Sequence, residues 1–319
     1  MAVSWAAGYP AGDIVHYRES SGFEAKLSAG ILLAIVAAAG YGVGRIFAGV
    51  GLQHIKPLPG SIISLIFGGL LVLAVSLIFR YEALVSISLI TLGWIVVIGI
   101  LSFALGRVFT FLGIKHIGAS RGTSVYASYP LFTMALAVPF LGETVSLALV
   151  TGIVLIIGGL ALLFSEREAE KSVAGGANRL LGYGFSLAAA VIYGANAVII
   201  KWVVSDMVDP LVTLTIAIFV GVAILLVPAG RGLGAAVKSN PRATGILALS
   251  GMINTLGAMS FYSALEVAPA VVVAPLGATS PLFTLVGTYL FLRRLDRVTY
   301  HVALGCLVVV IGGILVTIS

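Results

Sequence analysis

Arg45, Arg107, Asn196 and Asn254 are the polar side chains that most need a reason, because each falls inside a long apolar run. An arginine in hydrocarbon costs a few kcal/mol on insertion scales, so it persists where it binds something or is paired. A guanidinium offers a flat fork of donors that suits carboxylate or phosphate. Arg45 lies a little past the middle of the first run and Arg107 near the end of the third. Helices built on these two runs point the same way, so both side chains lie toward the same face. There they flank a cavity and attract an anionic or zwitterionic group. The alternatives are that Arg107 snorkels to the headgroups and that Arg45 is paired inside the bundle. The amides of Asn196 and Asn254 need partners, either a substrate or a neighbouring helix. Tyr41 and Tyr193, each followed by glycine, present an apolar face and a polar tip suited to an amphipathic ligand or a cation. Tyr126, Tyr129 and Tyr262 are candidates for the same lining.

Catalytic patterns are missing. His16, His54, His116 and His301 are scattered, without metal-ligand spacing. No GxSxG, P-loop or pair of carboxylates falls within an apolar run, and no cofactor motif is present. The chain therefore reads as neither an enzyme nor an ATP-driven pump. Its one cysteine, Cys306, makes no intrachain disulfide. Lys201, Glu143 and Glu266 fall near the ends of runs. There a lysine snorkels as readily as it binds, and carboxylates more often cap helices or hold loops than carry coupling protons.

The elements that must position these residues follow from composition. Of 319 residues, 60% are hydrophobic and 9% charged, against roughly 25% charged in an average soluble domain. Mean hydropathy is +1.16. A soluble fold could not hide that much apolar surface, which leaves a multi-pass α-helical membrane protein. A membrane helix needs about 20 mostly apolar residues. Ten such runs are legible: 28–50, 61–79, 88–111, 119–141, 146–164, 180–204, 211–227, 242–265, 268–292 and 298–318. The short connectors between them make sequential helices antiparallel neighbours. Residues 1–26 form a polar, soluble tail, and 165–179 a charged linker. Trp202, Tyr81 and Tyr300 read as interface anchors.

The chain also repeats itself. Tyr41-Gly42 recurs as Tyr193-Gly194 at an offset of 152, Pro130-Leu131-Phe132-Thr133 as Pro281-Leu282-Phe283-Thr284 at 151, and Gly158-Gly159 as Gly312-Gly313 at 154. The halves are then 27–164 and 180–319, with five helices each. Five is odd, so the second half enters the bilayer from the opposite side. The expected fold is all-α and integral to the membrane, with ten transmembrane helices in two inverted five-helix repeats. Secondary transporters are built this way, with the substrate near the midplane between repeats. Prolines at 130 and 281 are pseudo-equivalent helix breaks, and freed backbone groups at membrane depth are tolerated only against protein or water. They point to hinges or to the cavity.

These residues resemble the drug/metabolite transporter superfamily, in its EamA-type ten-helix branch. Tyr193-Gly194-Ala195-Asn196 through Lys201 is similar to that group's aromatic-Gly-x-Asn-x-x-x-x-Lys opening helix. The Pro-containing stretch from Ala274 to Thr284 resembles its ninth helix, and Phe140-Leu141-Gly142-Glu143 its Leu-Gly-Glu corner. In the first half the Asn and Lys positions hold Gly44 and Gly49, and Arg45 stands where a small or apolar residue is usual. The second-half corner, Phe291-Leu292-Arg293-Arg294, lacks the glutamate. The resemblance implies export or exchange of small metabolites such as amino acids.

Charge sets an expected orientation. Connectors after odd-numbered helices carry twelve Lys and Arg, and the opposite face four. By the positive-inside rule the twelve are cytoplasmic and the termini outside; the resemblance implies the reverse. The reading is a plasma-membrane secondary transporter for a small polar or amphipathic metabolite, amino-acid-like or an organic anion. It works by alternating access, driven by a coupling proton or ion, by exchange or by the solute's own gradient. Its partners are that small molecule and the lipid bilayer, not nucleic acid. The alternative is a non-transporting protein: an intramembrane enzyme, or an accessory subunit for lipid-linked sugar handling.

Overall fold

The computed structural model describes residues 21–117, 122, 125–165, 176–292 and 300–318, and every regular element among them is helical. The first half holds α1 (Ser21–Gly51), α2 (Pro57–Phe79), α3 (89–117), α4 (Tyr129–Leu141) and α5 (Leu147–Ser165). The second holds α6 (Gly176–Asp206), α7 (Pro210–Ser239), α8 (Pro241–Val267), α9 in two pieces (Ala270–Ala278 and Ser280–Leu292) and α10 (Tyr300–Thr317). Among the described residues seven helices are long and apolar enough to cross a membrane, and α4, α5 and α10 add shorter apolar stretches. Large apolar side chains such as Leu89, Phe140 and Val227 are exposed, as expected of a surface facing lipid rather than water.

Several boundaries differ from the sequence reading. Residues 21–26, expected in the soluble tail, belong to α1, while 1–20 lie outside the described residues. α6 starts at Gly176, and α7 continues past 227 to Ser239 despite Pro228. Hydropathy marks where a helix leaves the hydrocarbon, not where its hydrogen bonding stops, so helices outrun the apolar runs. The rest of the charged linker, 166–175, and the Arg293–Arg294 corner are outside the described residues.

Small residues set the helix contacts. α1 crosses α8 where Gly40 meets Gly257, and α5 crosses α10 where Gly152 meets Gly312. Van der Waals packing replaces the hydrophobic drive that lipid removes, and close backbone approach increases it. Of the paired glycines in α5 and α10, Gly159 and Gly312 are packed whereas Gly158 and Gly313 face open space.

Two contacts between the halves follow the repeat. Gly42 of α1 packs on Phe283 of α9, and Gly194 of α6 packs on Phe132 of α4; an added Cβ would fall 2.5 and 2.6 Å from the respective phenylalanine Cβ. Thr284 Oγ1 donates to Gly42 O at 3.1 Å, and Thr133 Oγ1 to Gly194 O at 3.4 Å. Each half thus offers its first helix to the fourth helix of the other.

Just before both prolines the helix is interrupted. Ser128 (φ −76°, ψ −2°) and Thr279 (φ −74°, ψ −3°) adopt the same conformation. Their hydroxyls bond back to Val125 O at 2.7 Å and Leu276 O at 2.6 Å. Pro130 and Pro281 then sit in the first turn of the following helix, where a missing N–H costs little.

One end of the molecule is closed by polar contacts between the halves. Glu143, in the α4–α5 corner, accepts from Ala270 N at 2.7 Å and Val271 N at 2.9 Å. These are orphan amides at the start of α9, where the helix dipole also favours negative charge. All nine residues of that first piece of α9 are buried. Burial raises the Glu143 carboxyl above the usual carboxylate range, against the two amides and the nearby Lys201 charge, which lower it. Lys201 Nζ donates to Glu266 O at 3.3 Å. Arg80, ending α2, pairs with Asp209, which caps α7 through Leu211 N at 2.8 Å. That exposed pair is worth little by itself.

Two outcomes follow. A Cβ on Gly251 would lie 2.0 Å from Ser64 O, whereas Gly49 faces open space. Gly251→Ala should destabilise the detergent-solubilised protein by about 1–3 kcal/mol, and Gly49→Ala should stabilise it by up to about 1 kcal/mol, read by thermal unfolding. Glu143→Ala strands two amides and should cost about 1–3 kcal/mol. A carboxyl raised in the folded state contributes stability that is lost as pH climbs through the folded value. Near neutral pH, Glu143→Gln avoids burying a charge and keeps one acceptor, so it should unfold closer to the native protein than the alanine variant does.

Candidate functional site

The tyrosines gather where the two crossed contacts meet. Tyr126 stacks on Tyr129 with centroids 5.6 Å apart and meets Tyr193 edge-on at 5.2 Å. Tyr41, on α1 of the same interface, lies against Phe261 at 6.2 Å. The hydroxyls are spent partly on backbone: Tyr129 Oη donates to Ala274 O at 2.7 Å, and Tyr193 Oη to Ser102 O at 3.1 Å. Tyr129 therefore ties α4 to the first piece of α9, just short of its break.

Arg45 belongs to this group. Its Nη1 donates to Ser280 Oγ at 3.0 Å, across the interface between the halves. Its charge acts on Tyr41, Tyr126, Tyr129 and Tyr193. The Arg45 side chain is nevertheless exposed, while Tyr129 and Tyr262 are buried. Arg45 thus stands at the open edge of a cluster whose floor is packed. Arg107 is half-buried, its charge acts on Tyr193, and it has no hydrogen bond or ion pair among the described residues.

Ser102 was not legible as a functional candidate. It lies in a six-residue π-helical segment of α3, Ile100–Leu105. Such wide turns recur at functional sites because the extra residue redirects side chains. Ser102 Oγ accepts from Asn196 Nδ2 at 2.6 Å, its carbonyl takes the Tyr193 hydroxyl, and the Tyr262 hydroxyl is turned toward it. The equivalent helix, α8, runs α-helical throughout, so the pseudo-symmetry fails here. No spacing signal in apolar sequence distinguishes a π turn from an α turn.

The two asparagines occupy crossed positions. At the repeat offset of 152, Asn196 corresponds to Gly44 and Ser102 to Asn254. Asn196 on α6 meets Ser102 on α3, while Asn254 on α8 lies over Gly44 on α1, with Ser250 Oγ donating to Gly44 O at 2.8 Å. Each interface carries one amide, supplied by opposite helices. Asn196 is buried and its Oδ1 has no partner among the described residues. Asn254 is half-buried, beside Arg45 through Gly44.

Every candidate side chain from the sequence can thus be placed. Tyr41, Arg45, Tyr126 and Tyr193 come together, Arg107 and Asn196 join through Tyr193 and Ser102, and Asn254 lies over Gly44, the residue before Arg45. Trp202, expected as an interface anchor, instead meets Trp94 edge-on at 5.0 Å and packs on the core. Tyr81 is exposed, as an anchor would be, and the side chain of Tyr300 is outside the described residues. No group of three metal-ligating side chains occurs among the described residues. An apolar groove of about 520 Å³ between α2 and α7, lined by residues including Leu73 and Phe219, shares no residue with the cluster and offers a solute no charge.

Comparison with known proteins bears on the family and the fold. The model of the EamA-like transporter family matches twice, over residues 28–165 and 180–318. An uncharacterized transporter from Clostridium kluyveri (strain ATCC 8527 / DSM 555 / NBRC 12016 / NCIMB 10680 / K1) is 25% identical over 227 residues, 70% of this chain and 71% of that protein. Phosphoenolpyruvate/phosphate translocator 3, chloroplastic, from Oryza sativa subsp. japonica is 43% identical over 58 residues, only 18% of this chain and 15% of that protein. A solved crystal structure superposes with a TM-score of 0.74 at 16% identity, covering 91% of this chain and 97% of the other, which supports the fold alone. With two family matches in tandem over nearly the whole chain, the protein belongs to the EamA-like transporter family and is a multi-pass helical membrane transporter.

Proposed function

We propose that the protein is a secondary transporter that moves a small polar or amphipathic metabolite, amino-acid-like or an organic anion, by alternating access. The substrate would lie between the halves, against Tyr41, Arg45, Tyr193 and Asn196. The observation that carries this reading is the crossed contact made twice. α1 lies on α9 and α6 on α4 through matching glycines and threonines, each beside a break of the same geometry at Ser128 or Thr279. Two such interfaces can exchange roles, one opening as the other closes.

The closed end fits one state of that cycle. Glu143 holds the buried start of α9 from the other half, and Arg80 holds Asp209. Arg45 is exposed above the tyrosines. Release of the Glu143 cap and a swing about the breaks would expose the tyrosines to the opposite side. Pro130 and Pro281 are assigned the hinge role because a short break beside a proline absorbs rotation without stranding a donor. The charge asymmetry of the connectors supports a cytoplasmic side for the loops after odd-numbered helices, in a protein of the plasma membrane.

Uptake into proteoliposomes tests the site. With a substrate identified by screening amino acids, organic anions, nucleosides and quaternary amines, Arg45→Ala and Asn196→Ala should each lower uptake by at least about tenfold, roughly the loss of one charge-assisted hydrogen bond. Wild-type uptake in both variants would remove these residues from the transport path.

A further inference from the structure

We infer that the cargo is an organic anion, with a carboxylate or phosphate head and a flat apolar body, and that it supplies the negative charge the protein leaves out. This rests on the transporter reading and names the substrate class of the same site. The ten apolar runs contain no Asp or Glu, and the basic residues set deepest in them are Arg45 and Arg107. Both act electrostatically on Tyr193, from α1 and α3. Among the described residues Arg45 bonds one neutral hydroxyl, Ser280 Oγ, through one of its five donors. Arg107 has no acceptor among the described residues. Two guanidinium groups beside apolar walls, with no carboxylate paired to them among the described residues, leave an unbalanced positive potential that a bound anion relieves.

The walls fix the body of the cargo. Tyr126 and Tyr193 meet edge-on, Tyr126 stacks on Tyr129, and Tyr41 stands next to Phe261. Flat aromatic faces accept a planar apolar group. The Tyr129 and Tyr193 hydroxyls already give their protons to backbone carbonyls, so they have none to give an anionic head, and that donation falls to the arginines. Asn196 Oδ1 and the Tyr262 hydroxyl are buried polar atoms without a hydrogen bond among the described residues, and Asn196 Oδ1, next to Ser102, suits a hydroxyl or amide N–H of the ligand. A cation would meet two arginines and, within the apolar runs, no carboxylate. A quaternary amine on the tyrosine faces would gain about 0.5–2 kcal/mol but would be repelled by both guanidinium groups.

Four probes with one ring and different charge separate the possibilities: benzoate, phenyl phosphate, benzamide and benzylamine. Thermal unfolding of the purified full chain at millimolar probe should show stabilisation by benzoate and phenyl phosphate that weakens as salt is raised, and none by benzylamine. Arg45→Gln should weaken the anion effect by at least about tenfold in midpoint concentration, Arg107→Gln should also weaken it, and Arg45→Lys should restore part of it. Arg45→Lys guards against misfolding, since its unliganded unfolding temperature should match the native one. Stabilisation by benzylamine equal to that by benzoate would overturn the proposal. So would the lack of any anion effect, or an anion effect unchanged in both glutamine variants. Uptake of a cationic solute by proteoliposomes would refute the anion class while keeping the transporter. Anion binding that depends on Arg45 without any uptake would do the reverse.

Discussion

A bilayer interior supplies no hydrogen-bond partner to a broken helix, and the described structure is organised around two places where a helix breaks anyway. At Ser128 and Thr279 the chain loses its regular ladder at membrane depth. Each break survives because its own hydroxyl bonds back three residues, a proline removes a donor that would be stranded, and the other half of the protein covers the site. Glu143 solves the same problem at the start of α9, where two amides face the α4–α5 corner and would otherwise be buried unpaired. Backbone satisfaction is thus shared between the halves. It adds polar contacts to the apolar packing of Phe132 and Phe283 across the same interface.

The crossed interfaces share a backbone and divide their polar residues unequally. Gly42 with Thr284 and Gly194 with Thr133 make the same contact twice. Around that shared frame the first half supplies Arg45 and Arg107, Tyr126 and Tyr129, and the π turn at Ser102. The second supplies Tyr193, Asn196 and Asn254. A duplicated unit gives two equivalent interfaces, and divergence of side chains makes the polar groups around them unequal. Positive charge gathers toward the end where α1 and α3 finish. The packed floor lies toward the start of α9.

More of this arrangement was legible in the residues than is usual for apolar chains. Tyr41-Gly42 and Tyr193-Gly194 were visible as a repeat, and so were the Pro-Leu-Phe-Thr pairs. What the repeat did not say is that each member packs on the other half's copy. Arg45 stood out because charge in an apolar run is rare, and its isolation from carboxylates could be read from the same run. Its partner Ser280 could not, because a serine before a proline in a helix is unremarkable. Ser102 was invisible for a related reason: its importance comes from a local change of helical pitch. The helix ends at Ser21 and Ser239 were also hidden, since polar residues continue a helix without any hydropathy signal. Trp202 resembled an interface anchor until Trp94 was found against it.

Composition and spacing alone determined that the chain crosses a membrane many times, that it is a duplication of an odd number of helices, and that a few polar side chains sit where lipid would punish them. Those conclusions need only transfer energies and counting, which are local properties of the chain. Which polar groups face one another was decided by tertiary structure. The outcome depends on helix rotation, on the glycine contacts that set how close α1 and α8 or α6 and α4 approach, and on a wide turn in α3. Rotation by a fraction of a helical turn would have sent Arg45 away from Ser280, and nothing in a single sequence fixes that angle before the helices pack.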